Sequence, residues 1–293
     1  MLLPLAALAL AGACADNTSP STGELTILLT DAPFPFEQVA RADVHVVRID
    51  AKVAAAGDDE FDDPASAGDD DPPGGWLTIA TPDRAYDLLQ LRNGATANLG
   101  QTTLPTGRYR SFRLILDTDR SSVTLIDGTV LTGASTPGIE WPSAAQTGIK
   151  ILLEQPIEVT ADGTVMVLDF DLARSFVLRG NRIEQNGLLF TPVIRATATD
   201  ITGSIAGTVV TGAASVPVED AIVELHAPGG TEAAQTTSTD AEGRFAFPFV
   251  LPGTYEVRAR GAEGSGLASA TEADVVVVTG EETTVALTLP AAP

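Results

Sequence analysis

Seven charged side chains stand inside otherwise apolar, strand-like stretches of the sequence: Asp31, Asp117, Lys150, Asp169, Asp171, Arg174 and Arg195. Burying such groups unpaired is costly, so they either face water or pair with one another across a sheet. A structural ion network is the first expectation. The sharper one is a shared calcium or ligand site built from Asp31, Asp117, Asp169 and Asp171, because calcium accepts many oxygens in flexible geometry. Asp169 and Asp171 share one face of a strand but would need a cleft to act as an acid–base pair. Trp76 and Trp141, the two tryptophans, lie in loop-like segments and are where a stacked sugar ring should be sought. His45 and His226 sit among alternating apolar residues, where a packed or exposed strand residue is the default. There is no G-x-S-x-G elbow and no phosphate-cradling glycine loop with its lysine, which removes most support from hydrolase and nucleotide-binding readings.

The elements that would position these residues are strands. Apolar and polar residues alternate over residues 24–29, 43–53, 109–116, 148–159, 164–170 and 188–199. One short helix is expected over residues 86–92, with Asp87 as its cap and Leu88, Leu89 and Leu91 as its apolar face. Asp127-Gly128, Asp162-Gly163, Asn186-Gly187 and Pro105-Thr106-Gly107 supply turns. Residues 23–200 therefore read as an antiparallel β domain with one short helix, and the chain as all-β. Residues 201–293 read as a second, small β-sandwich, with Phe245, Phe247 and Phe249 expected on one inward face. Asp240 and Gly243 suit one of its turns, and Pro252-Gly253 suits a type II turn. Residues 57–75 interrupt the first domain with eight carboxylates and no cation. Their spacing does not match the D-x-D-x-D-G calcium loop, so a solvated, mobile insertion is expected, with calcium binding as the alternative.

Composition limits what such a molecule does. The 293 residues hold 17 Lys plus Arg against 39 Asp plus Glu, a formal net charge of -22. A nucleic-acid binder needs a basic stripe, and anionic membranes are disfavoured as adsorbing surfaces for the same reason. A hydrophobic fraction of 44% argues for a folded chain, long enough for two domains. No cofactor is expected apart from the calcium alternative.

Residues 1–13 form an apolar run too short to span a bilayer, followed by Cys14, the only cysteine. Ala11-Gly12-Ala13-Cys14 resembles the lipobox of bacterial lipoproteins, which implies that Cys14 is acylated and becomes a membrane anchor. An ordinary signal peptide cut near Ala13 or Ala15 is the alternative, and both imply export. Ala15 after the cysteine implies, by resemblance to enterobacterial sorting, the outer membrane or cell surface. Residues 15–22 would serve as a tether.

Two further resemblances cover most of the chain. Residues 203–289 carry G-x-I-x-G-x-V, P-V-x-x-A-x-V, T-D-x-x-G-x-F-x-F and L-P-x-G-T-Y, and resemble the carboxypeptidase regulatory-like domain. That family implies a seven-stranded sandwich of the prealbumin or starch-binding type, usually without chemistry of its own. A carboxypeptidase zinc site needs two His and a Glu, and two His in separate domains exclude it. Residues 28–34 (LLTDAPF), 87–94 (DLLQLRNG), 104–117 (LPTGRYRSFRLILD), 122–128 (SVTLIDG), 147–151 (TGIKI), 168–177 (LDFDLARSFV) and 192–198 (PVIRATA) resemble, in order, the bacterial lipoprotein family catalogued as number 4382 among domains of unknown function. The expectation is a non-enzymatic, lipid-anchored envelope protein with an adhesion, scaffolding or ligand-presenting role. Its partners would be the membrane, and an envelope protein or an extracellular glycan. Carbohydrate binding is the alternative function.

Overall fold

The computed structural model describes residues 21–31, 38–53, 76–91, 94–142, 144–153, 155–212, 215–262 and 264–292. Cys14, most of the tether and the acidic insertion at 57–75 lie outside the described residues. The first domain contains β1 (Thr22–Asp31), β2 (Val39–Val53), β3 (Leu77–Ala80), β4 (Arg84–Asp87), β5 (Ala97–Pro105), β6 (Gly107–Leu125), β7 (Val130–Leu131), β8 (Ile139–Glu140), β9 (Ile149–Leu153), β10 (Ile157–Val159), β11 (Thr164–Phe170), β12 (Phe176–Leu178), β13 (Leu188–Phe190) and β14 (Ile194–Ala198). The second contains β15 (Gly203–Thr211), β16 (Val216–Pro217), β17 (Ile222–His226), β18 (Ala233–Ser238), β19 (Arg244–Val250), β20 (Gly253–Arg260), β21 (Ala270–Val277) and β22 (Glu282–Leu289).

The chain is all-β, as its alternation predicts, but the first domain is mixed rather than purely antiparallel. Its main sheet runs β3-β2-β6-β9-β14-β11-β1-β5. Within it β1 lies parallel to β11, Leu25 opposite Thr164, and β14 lies parallel to β9. A three-stranded sheet, β12-β13-β8, stands beside it. Two strands expected as single runs are split at prolines, which lack the ladder N–H. Pro156 precedes β10, and Pro192 separates β13 from β14. The expected helix is shorter than the sequence pattern suggests. Tyr86 and Asp87 close β4, and among the described residues of that stretch Leu88–Leu91 coil, as a 3-10 turn whose Leu89 N–H donates to Asp87 Oδ1 at 3.3 Å, while Arg92 lies outside the described residues. Further single helical turns occur at Ala144–Thr147, Leu172–Ser175 and Ile183–Asn186.

The second domain is the expected sandwich, with seven strands of five to nine residues and the two-residue β16 at an edge. One sheet holds β16, β15, β19 and β22; the other runs β18-β17-β20-β21. Inward alternation gives a core of Ile205, Val223, Leu225, Phe245, Phe247 and Val257, separate from the first domain's core. Phe249 departs from the expected row. Its φ of 55° turns the end of β19, so Val250 takes the inward place and Phe249 is displaced to the domain boundary. Gly243 takes the left-handed corner as expected at φ 71°, and Asp240 Oδ1 accepts from the N–H groups of Glu242 and Arg244. Gly253 instead opens β20, outside the left-handed region. Each domain also pins a strand start by the same device, since Tyr109 and Tyr255 donate their hydroxyls to the carbonyls of Pro105 and Leu251, four residues upstream, at 3.0 and 2.9 Å.

Candidate functional site

Three of the four expected carboxylates converge. Asp31 ends β1 and Asp171 follows β11, and both hold the turn at Leu172–Ser175. Asp31 Oδ1 accepts from Leu172 N–H at 3.2 Å, and Asp171 Oδ1 accepts from Arg174 N–H at 3.0 Å. A helical turn exposes its first N–H groups, and carboxylates satisfy them well. Arg174 lies 3.7 Å from Asp171. Asp169, on β11, stands opposite Arg195 of β14. Burial and the nearby Asp171 charge push its carboxyl up to about 7, against a smaller opposing pull from Arg195. Arg195 is drawn across the domain boundary, where its guanidinium donates to the Ala234 carbonyl of β18.

Asp31, Asp169 and Arg195 line the cleft between the domains, facing Gln235, Phe249 and Tyr255. That cleft encloses about 80 Å³. This is room for a few waters, whereas small-molecule sites span roughly 300–1,000 Å³. It is a seam that joins the domains.

Asp117 is not part of this group. It sits on β6, where Arg120 Nε donates to its Oδ2 at 2.6 Å and the Asp119 and Arg120 N–H groups donate to its Oδ1. Arg120 also pairs with Asp83 at 2.8 Å, and Asp83 lies 3.1 Å from His45 Nε2. Hydrogen bonds from Arg120 hold the Asp117 carboxyl below its usual range. The four-carboxylate calcium site is therefore not assembled, because Asp117 belongs to a separate ion network. Among the described residues no group of three or more His, Cys, Asp or Glu is placed to hold a metal ion. His45 and His226 are both buried strand residues, in keeping with the default for each.

Each tryptophan already has ring surface taken up by its neighbours. The Arg113 guanidinium sits over the Trp76 ring, 4.4 Å from its centroid, and also donates to Asp50 Oδ2 at 2.9 Å. Asp50 further accepts from Arg48 at 3.2 Å and from Thr78 Oγ1 at 2.8 Å. Burial pushes the Asp50 carboxyl up, but these hydrogen bonds outweigh it and leave it below its usual range. Asp50 was not among the expected residues. Its signal was the alternation of Arg48, Asp50 and Lys52 along an apolar strand. Trp141 packs against Phe190 and Phe176, at centroid distances of 4.6 and 6.0 Å, in an aromatic cluster beneath the β12-β13-β8 sheet.

Beside β8 lies an open polar cup of about 600 Å³. Glu140 and Arg179 flank it as a pair 3.2 Å apart, and Gln185 and Asn186 line it from the turn at Ile183–Asn186. Nothing in the spacing of these residues along the sequence signals that they meet, because the cup closes only when β8 pairs in parallel with β13, some 50 residues later.

The model of the family described as Domain of unknown function (DUF4382) matches residues 22–192. The chain belongs to that family. The model of the carboxypeptidase regulatory-like domain matches residues 204–290, so this DUF4382 member carries that module after its family domain. A search of curated proteins finds no match. Among solved structures, a putative carbohydrate binding protein from Bacteroides uniformis is 19% identical over 30% of this chain and 41% of its own, with a TM-score of 0.25. The Bacillus anthracis TIE protein is 13% identical over 92% of this chain and 34% of its own, at 0.26. The minor pilin GBS52 of Streptococcus agalactiae is 14% identical over 92% of this chain and 97% of its own, also at 0.26. The chain thus spans about two fifths and one third of the first two. Superpositions at this level do not establish a shared fold, and the architecture rests on the strand pairing described above.

Proposed function

We propose that this DUF4382 protein is a non-enzymatic component of the cell envelope, held by lipid on Cys14, that presents two joined β domains for adhesion, scaffolding or ligand presentation. The observation that carries this reading is the use made of its carboxylates. Asp31 and Asp171 hold a helical turn, Asp50 is locked by Arg48, Arg113 and Thr78, and Asp117 is held by Arg120. Acid–base catalysis needs a carboxylate within reach of a substrate. Asp169, whose raised pKa would suit that work, faces a seam too small to admit one. The N-terminal acylation motif supplies the anchor, and Ala15 supports the outer membrane or cell surface as its destination.

Fractionation of a Cys14→Ser variant in the native host tests the anchor. The variant should leave the membrane fraction, and the unmodified protein should carry lipid mass on its N-terminal peptide. A variant that stays with the membrane, with no lipid on the parent peptide, would sink the proposal. Glycan binding is a second reading, favoured by the open polar cup lined by Glu140, Arg179, Gln185 and Asn186.

A further inference from the structure

In β2, β6 and β9 the core takes Ile49 and Ala51, Phe112 and Leu114, and Ile149 and Ile151, so the residues alternating with them point outward. Those outward positions hold Arg48, Asp50, Lys52, Ser111, Arg113 and Lys150, four cations against one carboxylate in a chain of net charge -22. Both lysines of the protein stand there. Asp50 is 1% exposed and is already engaged by Arg48, Arg113 and Thr78. Arg113 stands opposite Asp50 on one side and opposite Lys150 on the other. Like charges directly opposite one another in a ladder repel. Lys150 is exposed, and among the described residues it has no ion pair or hydrogen bond. Positive charge that the described fold leaves uncompensated calls for an anion.

The chain carries such an anion between β2 and β3. Residues 58–71 hold eight carboxylates and no cation. Both ends of the linking segment leave from this face. Val53 follows Lys52 on β2, Trp76 lies under the Arg113 guanidinium, and Leu77 stands opposite Ala51. At about 4.8 Å between neighbouring strands, Lys150 is roughly 10 Å across the sheet from β2. The chain from Val53 to Asp58, or from Asp71 to Trp76, spans up to about 17 Å when extended. The carboxylates therefore reach every cation of the face. Tethered at both ends, they are present there at an effective concentration on the order of millimolar. An outside anion, or a second copy of the protein, must first approach a chain of net charge -22.

We propose that the outer face of β2, β6 and β9, with Arg48, Lys52, Arg113 and Lys150, is a docking surface for the acidic segment 57–75 of the same chain. The carboxylates give Lys150 the counter-charge that Asp50 cannot, and offset its repulsion from Arg113. Exposed ion pairs are individually worth little, so the contact is held by the number of charges and not by any one pair. It weakens with salt, as the screening length falls from about 10 Å at 0.1 M to about 3 Å at 1 M. Removing the segment therefore changes melting little while uncovering the two lysines.

Two lysines make the test selective. The full chain is treated in low salt, with a chelator present, with a carbodiimide that joins an amine to a carboxylate in contact with it, and the digest is read by mass spectrometry. The expected product links Lys150 to the peptide that contains residues 58–71, and it should vanish at about 1 M sodium chloride. An amine-reactive ester should label Lys150 about two- to fivefold more slowly in the parent than in a chain whose residues 58–71 carry Asn for every Asp together with Glu60→Gln, the ratio that an exposed ion pair supports. Deletion of residues 58–71 should match that neutral chain. Either variant serves if the other fails to fold, since both remove the same charge. Absence of the link, with equal labelling in parent and variants, would overturn the proposal. So would slow labelling of Lys150 that persists in the neutral chain, which would assign its cover to bulk or to another anion. A link whose yield rises with protein concentration would assign the face to a second copy, and would overturn it too.

Discussion

Replacing Asp169 by Asn should stabilise the first domain, and more so as pH rises. The folded protein holds the Asp169 proton up to about pH 7, whereas an unfolded chain releases it near the usual value of 3.8. Between those values the folded state binds more protons, so this group's contribution to stability falls as pH increases through that window. The shift is about three pH units at about 1.4 kcal/mol each, a ceiling of about 4 kcal/mol above pH 7. Asparagine keeps the shape and removes the charge. Its advantage over the parent should therefore grow by about 2–3 kcal/mol between pH 5 and pH 8. Urea unfolding followed by tryptophan emission reads this domain selectively, because Trp76 and Trp141 both lie in it. An advantage that stays level or shrinks across that range would refute the argument, and would mean that Arg195 neutralises Asp169 instead of reaching for the second domain.

Phe247 is fully buried, so Phe247→Ala should cost about 3–5 kcal/mol in the second domain, measured by urea unfolding of the full chain with circular dichroism. A loss under about 1 kcal/mol, the range of surface changes, would contradict its place in the core. Tyr109→Phe and Tyr255→Phe should each cost about 0.5–1.5 kcal/mol, the worth of one hydrogen bond, with both rings left packed. Deleting residues 58–71 should leave melting unchanged, with calcium or with a chelator. A calcium-dependent rise present in the parent and lost on deletion would instead assign calcium to the acidic insertion.

What the sequence made legible was what depends on near neighbours. Alternation located β1, β2, β6 and β11, and Asp240 and Gly243 announced their turn. The carboxylates of residues 31, 169 and 171 drew notice because charge within an apolar strand demands a partner, and the structure brings all three to one end of the sheet. Asp117 carried the same signal and lies elsewhere, since alternation says that a charge must be satisfied but not by which strand. The parallel pairing of β1 with β11 left no local mark, because nothing near Leu25 specifies Thr164. Phe249 was misplaced for the same reason, as a single left-handed residue inverts the parity of everything after it. The cup escaped notice because two loops form it and neither carries a motif.

Both domains begin with a strand whose parallel neighbour arrives late in the chain. β1 waits for β11, with Leu25 meeting Thr164 only 139 residues later, and β15 pairs with β22, the last of the described strands. At a synthesis rate of roughly 5–20 residues per second, the first wait lasts on the order of ten seconds. Throughout that interval Leu25, Ile27 and Leu29 form an apolar strand with one side of its backbone unclaimed, the kind of edge that recruits other chains. A ribosome-bound fragment that stops short of residue 170, or one lacking residues 282–289, thus carries an open edge at the heart of a sheet. Each domain is sealed from behind, and the vulnerable stage for holdase binding, proteolysis or misassembly falls before its final strand emerges.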